Sequence, residues 1–320
     1  MMKKIQCALT AVLCLWLLSG DAQAALIPVG QVVGLELRGN RVSIAAFDDT
    51  LGSAAQQAGL QIGDEILDID GKPVRNAADV RQALTRSDGQ VRLRVLRKDK
   101  EHQLQLKPRV TDAGPRMGVY LRQGVTGIGT VTFYDPASGR FGTLGHGVHD
   151  AQGELVELTA GTVYEADVLS VKRGKCGDPG QLRGTVNAGK ALGTVEKNAP
   201  QGVFGTLNTG WNGDALETAQ RTQVHTGAAT IRSTVTGDTP QEYSVEILKI
   251  YPGNRPEGRN MLLKITDPTL LNTTGGIVQG MSGSPIIQEG KLIGAVTHVL
   301  VNDPTTGYGI FIENMLDAAA

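Results

Sequence analysis

The feature that most limits the fold is a succession of short β-rich runs after Pro108, at residues 127–134, 140–145, 162–171, 245–251, 262–266, 291–301 and 309–313. Few convincing helical stretches separate them, which points to an all-β barrel or sandwich. Glycine supports this: 42 of 320 residues is well above the usual fraction of about 7%. There is no Gly-X-Y period, so the glycines mark tight turns between strands. At roughly 150 residues per domain the length fits two domains, each able to bury a core without disulfide staples.

Charge and cysteine narrow the function classes. Lys+Arg is 31 and Asp+Glu is 32, a net charge of -1, so there is no basic excess to grip nucleic acid or an anionic membrane. Residues 1–24 read as a signal peptide or an uncleaved anchor: Lys3 and Lys4, an uncharged apolar run over 8–18, and the small-x-small triplet Ala22-Gln23-Ala24. Export is the expected fate, and the apolar run is shorter than the roughly 20 residues that span a bilayer. Cys7 and Cys14 fall in this segment, leaving Cys176 with no internal disulfide partner.

From residue 25 to 108 the pattern is strand, short helix, strand, helix, strand, strand. Leu35, Leu37, Val42 and Ile44 alternate with polar neighbours, and Asp70-Gly71 marks a turn. A helix is predicted over 76–86, with Asn76 as N-cap, Asp79 in the first turn and Val80 stacked on Leu84. The run SAAQQAGLQIGDEILDIDGKPV closely resembles the signature of bacterial PDZ domains. That resemblance implies an α+β domain over 25–108 and a groove where a C-terminal or internal peptide adds as an extra strand. It further implies that Val33-Gly34-Leu35 receives the peptide carboxylate, with the strand to Leu37 on one side and Val80 and Leu84 on the other. A core-facing role fits Val80 and Leu84 equally well. Residues 109–116, with Asp112, Gly114 and Pro115, read as a linker before a second domain over 117–320.

The second domain carries the chemistry. In GMSGSP, Gly280 to Pro285, a serine sits in a glycine turn ahead of the apolar Ile286-Ile287. Such a turn exposes Ser282 as a nucleophile and aims the amides of Gly280 and Ser282 at one spot as an oxyanion hole. Gly283 would let a carbonyl substrate approach. The base must be one of five histidines, and His146, between Gly145 and Gly147 at a strand end, is best exposed. His149 is its nearest rival; His298 follows the serine strand and fits a core position equally well. No His-Glu-x-x-His and no cysteine cluster is present, so neither metal nor cofactor is expected.

Three stretches carry a family resemblance: LIPVGQVVGLEL after the signal, GTLGHGVHD around His146, and GGIVQGMSGSPIIQEGKLIGAVTHVLVNDPTTGYGIFIENML around Ser282. Together they resemble the stage IV sporulation protein B family of serine peptidases. The resemblance implies a mainly β chain in which the PDZ domain precedes a chymotrypsin-like double β-barrel. It also implies a triad of His146, Asp267 and Ser282, with Thr297 the other candidate for the orienting third member. Met281 and Ser284 depart from the G-D-S-G-G-P loop of chymotrypsin-like enzymes, and Met281 removes the carboxylate that a new N-terminus would pair with. GMSGS is not G-x-S-x-G, which argues against an α/β-hydrolase.

By the same resemblance the chain is expected to be exported into the space between forespore and mother-cell membranes. There it would cleave itself and a membrane-anchored regulator of an intramembrane, sigma-factor-processing metalloprotease, without binding nucleic acid. A general extracytoplasmic quality-control protease with a PDZ domain is an alternative. A non-catalytic PDZ binding protein is another.

Overall fold

The computed structural model describes residues 25–253 and 258–320. The signal segment, with Cys7 and Cys14, lies outside the described residues. The chain opens with β1 (Ala25–Pro28) and β2 (Val32–Gly39). A small α+β unit follows: β3 (Ser43–Phe47), α1 (Ser53–Gln57), β4 (Glu65–Ile69), β5 (Lys72–Pro73), α2 (Ala77–Arg86), β6 (Val91–Arg97), β7 (Lys100–Leu106), β8 (Arg109–Thr111), β9 (Gly114–Arg116) and β10 (Val119–Arg122). Then come β11 (Val125–Tyr134), β12 (Arg140–Thr143), β13 (Leu158–Lys172), β14 (Gln181–Ala199), β15 (Gly202–Leu207) and β16 (Leu216–Glu217). The last stretch holds β17 (Gly227–Ser233), β18 (Gln241–Ile250), β19 (Met261–Ile265), α3 (Pro268–Thr274), β20 (Pro285–Gln288), β21 (Lys291–Leu300), β22 (Asp303–Phe311) and α4 (Ile312–Ala319).

Two barrels result. The first runs β12-β15-β14-β13-β2-β11 and closes through a β11–β12 pairing; the second is the closed ring β17-β18-β19-β22-β21-β20. Closure removes free strand edges, and alternate side chains fill each interior. Val33, Leu35, Leu37, Phe141, Val163 and Val203 pack in the first barrel; Ile231, Val245, Leu263, Ile286, Val296 and Phe311 pack in the second. The expected mainly β, double-barrel fold is what the chain adopts.

The PDZ sheet has the order β10-β3-β4-β6-β7. Its helix α2 begins as the sequence predicts: Asn76 Oδ1 accepts from the amides of Ala78 (2.8 Å) and Asp79 (2.9 Å), and Asp79 accepts in return from Asn76 N. This reciprocal capping box satisfies amides that a helix start leaves open.

The domain boundaries differ from those expected. β2 pairs with β11, Leu37 opposite Val125, and with β13, Leu37 opposite Gly161, so it lies inside the first barrel and not in the PDZ sheet. Residues 109–116 form the ribbon β8–β9 instead of a loose linker, and β10, expected in the second domain, completes the PDZ sheet against β3. The PDZ domain is therefore an insertion into the β2–β11 hairpin. At the junction Gly124 has φ +106°, and a Cβ there would stand 1.9 Å from Leu37 O, so only glycine admits the close approach. Gln123 Nε2 ties the two units by donating to Gly39 O and Arg75 O, each at 3.0 Å.

Candidate active site

The turn carrying Ser282 lies where the second barrel meets the first. Two threonines of β11 hold it: Thr130 Oγ1 donates to Gly280 O (2.7 Å) and Thr132 Oγ1 to Gly283 O (2.7 Å). Thr130 N adds a bond to Ser282 O at 3.0 Å. Both threonines are buried, so these contacts sit where water cannot replace them. Gly283 is required for a different reason from the one expected. With φ +97° and a hypothetical Cβ 1.9 Å from Thr130 O, it lets the two barrels touch backbone to backbone, and its open side faces Thr130 and not a substrate.

Within the turn most amides have acceptors: Met281 N bonds Val278 O, Gly283 N bonds Val296 O and Ser284 N bonds Met281 O. The amides of Gly280 and Ser282 have no protein acceptor among the described residues, which leaves them available to an oxyanion. Met281, where related loops carry aspartate, is fully buried in the core of the second barrel. Ser284 closes the turn by donating to Met281 O at 2.7 Å and lies 3.0 Å from Ser233 Oγ.

His146 follows a strained approach. Leu144 and Gly145 both have φ +69°, a conformation rare for a branched side chain and tolerated where a site demands it. The half-buried His146 places Nδ1 2.9 Å from Gly147 O. A carbonyl only accepts, so Nδ1 carries the proton and Nε2 is the free base. Burial pushes the His146 pKa below the ordinary imidazole value, opposed by the Gly147 carbonyl and reinforced by nearby His149. His298 packs on the same ring, with centroids 5.2 Å apart and a 39° tilt.

Ser282, His146, His149 and His298 line one cavity of about 470 Å³ at the barrel junction, with apolar walls from Leu35, Leu37, Val125, Ile128 and Leu144. Ser282 Oγ donates to Thr297 O at 2.8 Å, so in this resting arrangement the hydroxyl has yet to turn towards a base. Asp267 is placed elsewhere. Its carboxylate is the N-cap of α3, accepting from Thr269 N (2.9 Å), Leu270 N (3.0 Å) and Ser244 N (3.4 Å), and it does not line the cavity. Thr297 is adjacent through its carbonyl, while its hydroxyl has the carbonyls of Tyr308 (3.2 Å) and Gly258 (3.3 Å) as acceptors for its one proton. Among the described residues no group of three or more His, Cys, Asp or Glu side chains could hold a metal.

Sequence reading missed Thr130, Thr132 and the contact of His298 with His146. The Thr-x-Thr spacing on an otherwise apolar strand was a usable signal, because i and i+2 face the same side. The expected carboxylate loop at Val33, Gly34 and Leu35, and the flanking strand to Leu37, are displaced by the insertion topology: these residues are walled in by β11 and β13. The PDZ groove of about 560 Å³ instead lies between α2, with Val80 and Leu84, and the strand that starts after Gly118 and includes Val119, Tyr120 and Leu121. Val80 and Leu84 are buried in the PDZ core and also line this groove.

Two closed barrels with a serine turn and a histidine at their junction, and a peptide groove inserted beside them, define a PDZ-bearing serine peptidase of chymotrypsin-like fold. The chain belongs to the SpoIVB peptidase S55 family: that family's model matches residues 114–316 and a PDZ model matches 51–97. Among solved structures it is similar to the Rv3671c protease of M. tuberculosis. The active form is 17% identical, with 61% of this chain and 75% of that chain covered and a TM-score of 0.38. The inactive form is 15% identical, with 60% and 82% covered and a TM-score of 0.36. A Rhizobium meliloti protein provisionally named a zinc metalloprotease is 32% identical over 103 residues, which is 32% of this chain and 26% of that one. The chain thus spans about a quarter of that relative's length.

Proposed function

We propose that this peptidase is an endopeptidase in which Ser282 is the nucleophile, His146 the general base and the amides of Gly280 and Ser282 the oxyanion hole. The observation that carries the reading is the shared cavity at the barrel junction, with Nδ1 of His146 bound to Gly147 O and Nε2 left as base. Oγ leaves Thr297 O, passes its proton to Nε2 and bonds the substrate carbonyl carbon, while the carbonyl electron pair moves onto oxygen between the two amides. Collapse of that intermediate breaks the C–N bond, and the departing amine takes the proton from Nε2. Water then repeats the sequence on the acyl-serine and frees the second product.

The finer role we propose follows family membership: an exported signalling enzyme that cuts itself and a membrane-anchored regulator of a sigma-factor-processing metalloprotease, between forespore and mother-cell membranes. The PDZ groove supports selective capture of a peptide over general degradation. Fluorophosphonate labelling of residues 25–320, with peptide mapping, tests the chemistry: label at Ser282 that is lost in His146→Ala and Ser282→Ala is expected. A folded protein without label would sink it. Digestion of an unfolded casein faster than of the protein's own chain would favour the quality-control alternative.

A further inference from the structure

The PDZ groove carries an uneven charge. In the sheet order β10-β3-β4-β6-β7 strand β10 is terminal, so its outer backbone edge has no strand partner, and an extended peptide can add there. The floor beside that edge is apolar, with Val80 and Leu84 from α2 and Val119 and Leu121 from β10. The helix residues that line the groove are Ala77, Val80, Arg81 and Leu84, a spacing of i, i+3, i+4 and i+7 that defines one helix face. Arg81 therefore belongs to the groove, at its exposed rim, and Arg116 joins it from the end of β9. Among the described residues Asp48 is the one acid in the lining, and its own turn occupies its carboxylate. Oδ1 accepts from Thr50 N (2.9 Å), Thr50 Oγ1 (2.8 Å) and Leu51 N (2.9 Å), and Oδ2 from the Tyr120 hydroxyl (3.3 Å).

A second observation points the same way. In the ribbon β8–β9, Arg109 stands directly opposite Arg116, and like charges paired across strands are destabilising. Among the described residues no carboxylate pairs with Arg81, Arg109 or Arg116, so negative charge must come from outside the chain to relieve the conflict. Resting on the reading that the PDZ groove captures a peptide, we propose that it selects an extended apolar-acidic-apolar segment. Alternate side chains of an added strand face opposite ways: the apolar pair enters over Val80 and Leu84, and the carboxylate between them meets the guanidinium groups of Arg81 and Arg116 at the rim. A guanidinium fork matches a carboxylate better than a lone ammonium does. The length fits as well, since the helix face from Ala77 to Leu84 is about 10 Å long at 1.5 Å per residue. A strand covers that distance with about three residues.

The test measures Kd by fluorescence anisotropy on residues 25–320 carrying Ser282→Ala, so that a bound probe is not cut. The probes are fluorescein-labelled peptides ending in Val-Glu-Val-Glu-Leu, Val-Gln-Val-Gln-Leu and Val-Lys-Val-Lys-Leu. They share their apolar side chains and a free terminal carboxylate, so any difference reports the acidic side chains alone. The glutamate peptide is expected to bind about tenfold tighter than the glutamine peptide, the scale of two exposed ion pairs, and the lysine peptide weakest. Arg81→Gln and Arg116→Gln should each weaken glutamate-peptide binding about three- to fivefold and leave the glutamine peptide unchanged. Salt at about 0.5 M should compress the preference. Thermal unfolding checks the variants, and Arg116→Gln should melt no lower than the parent because it ends the opposition to Arg109. Equal Kd for the glutamate and glutamine peptides would overturn the proposal, as would a preference that survives in the folded double variant. Failure of the capture reading looks different: none of the three peptides would show saturable binding.

Discussion

At the residue scale, the decisive quantity is the protonation state of His146. Burial disfavours the imidazolium and sets its pKa below the ordinary value, which is about 6.5. The base is active only when neutral, so the acid limb of kcat/KM should lie below that ordinary value. A profile falling at or above it would contradict a base shielded by its cavity. Stability follows the same direction. The unfolded chain takes up the proton first as pH drops, so the contribution from keeping His146 neutral is whole above the unfolded pKa and is lost as pH falls through the folded one. Both Ser282 and His146 were legible because glycines at fixed neighbouring positions betray exposed turns. The role of Asp267 was not, because an Asp followed by Pro and an apolar turn is the local pattern of a helix start. Nothing local distinguishes a cap from a triad member. His298 was ambiguous for a related reason: only tertiary packing decides whether an imidazole on a strand meets a core or another imidazole.

At the scale of elements, β11 deserves more weight than its apolar sequence suggests, since it joins the barrel wall to the nucleophile turn. Replacing Thr132 by Val keeps the shape and removes the donor, leaving Gly283 O unpaired in a buried interface. That should cost about 1–3 kcal/mol in urea unfolding and slow labelling of Ser282, because the turn that positions the two free amides loses an anchor. Unchanged stability and rate in that variant would show the threonine clamp to be incidental. The strands themselves were legible from alternation and turn residues, but their partners were not. β2 reads the same whether it completes a PDZ sheet or a barrel: its Leu35 and Leu37 alternate either way, and partner choice is settled only by closure of the ring. The ribbon β8–β9 was similarly opaque, being three residues a side around a Gly and Pro that equally suit a linker.

For the whole molecule, the consequential fact is that the PDZ domain interrupts a hairpin and does not precede the peptidase. Leu37 and Val125 face each other across β2 and β11, so the inserted chain leaves and re-enters the barrel at adjacent points, with the groove strand β10 separated from β11 by only Gln123 and Gly124. A peptide adding to β10 therefore pulls on a strand that continues into Thr130 and Thr132. The topology makes opposite predictions for two truncations. Starting the chain at Met117 discards β1 and β2, deletes one wall of a closed ring and exposes the Val33, Leu35 and Leu37 sites of the core, so the barrel should fail to fold. Joining Leu37 directly to Val125 through Asn-Gly removes a similar length of chain, all of it from the interior, but restores a two-residue hairpin of the favoured turn type. That shortened chain should fold, showing a β-type circular dichroism spectrum and a cooperative melt. A cooperative fold in the Met117 chain, or a molten one in the Asn-Gly chain, would contradict the inserted topology. If the Asn-Gly chain folds yet labels at Ser282 more slowly than the intact protein, the missing PDZ domain is then the source of the difference, since every residue lining the junction cavity is retained.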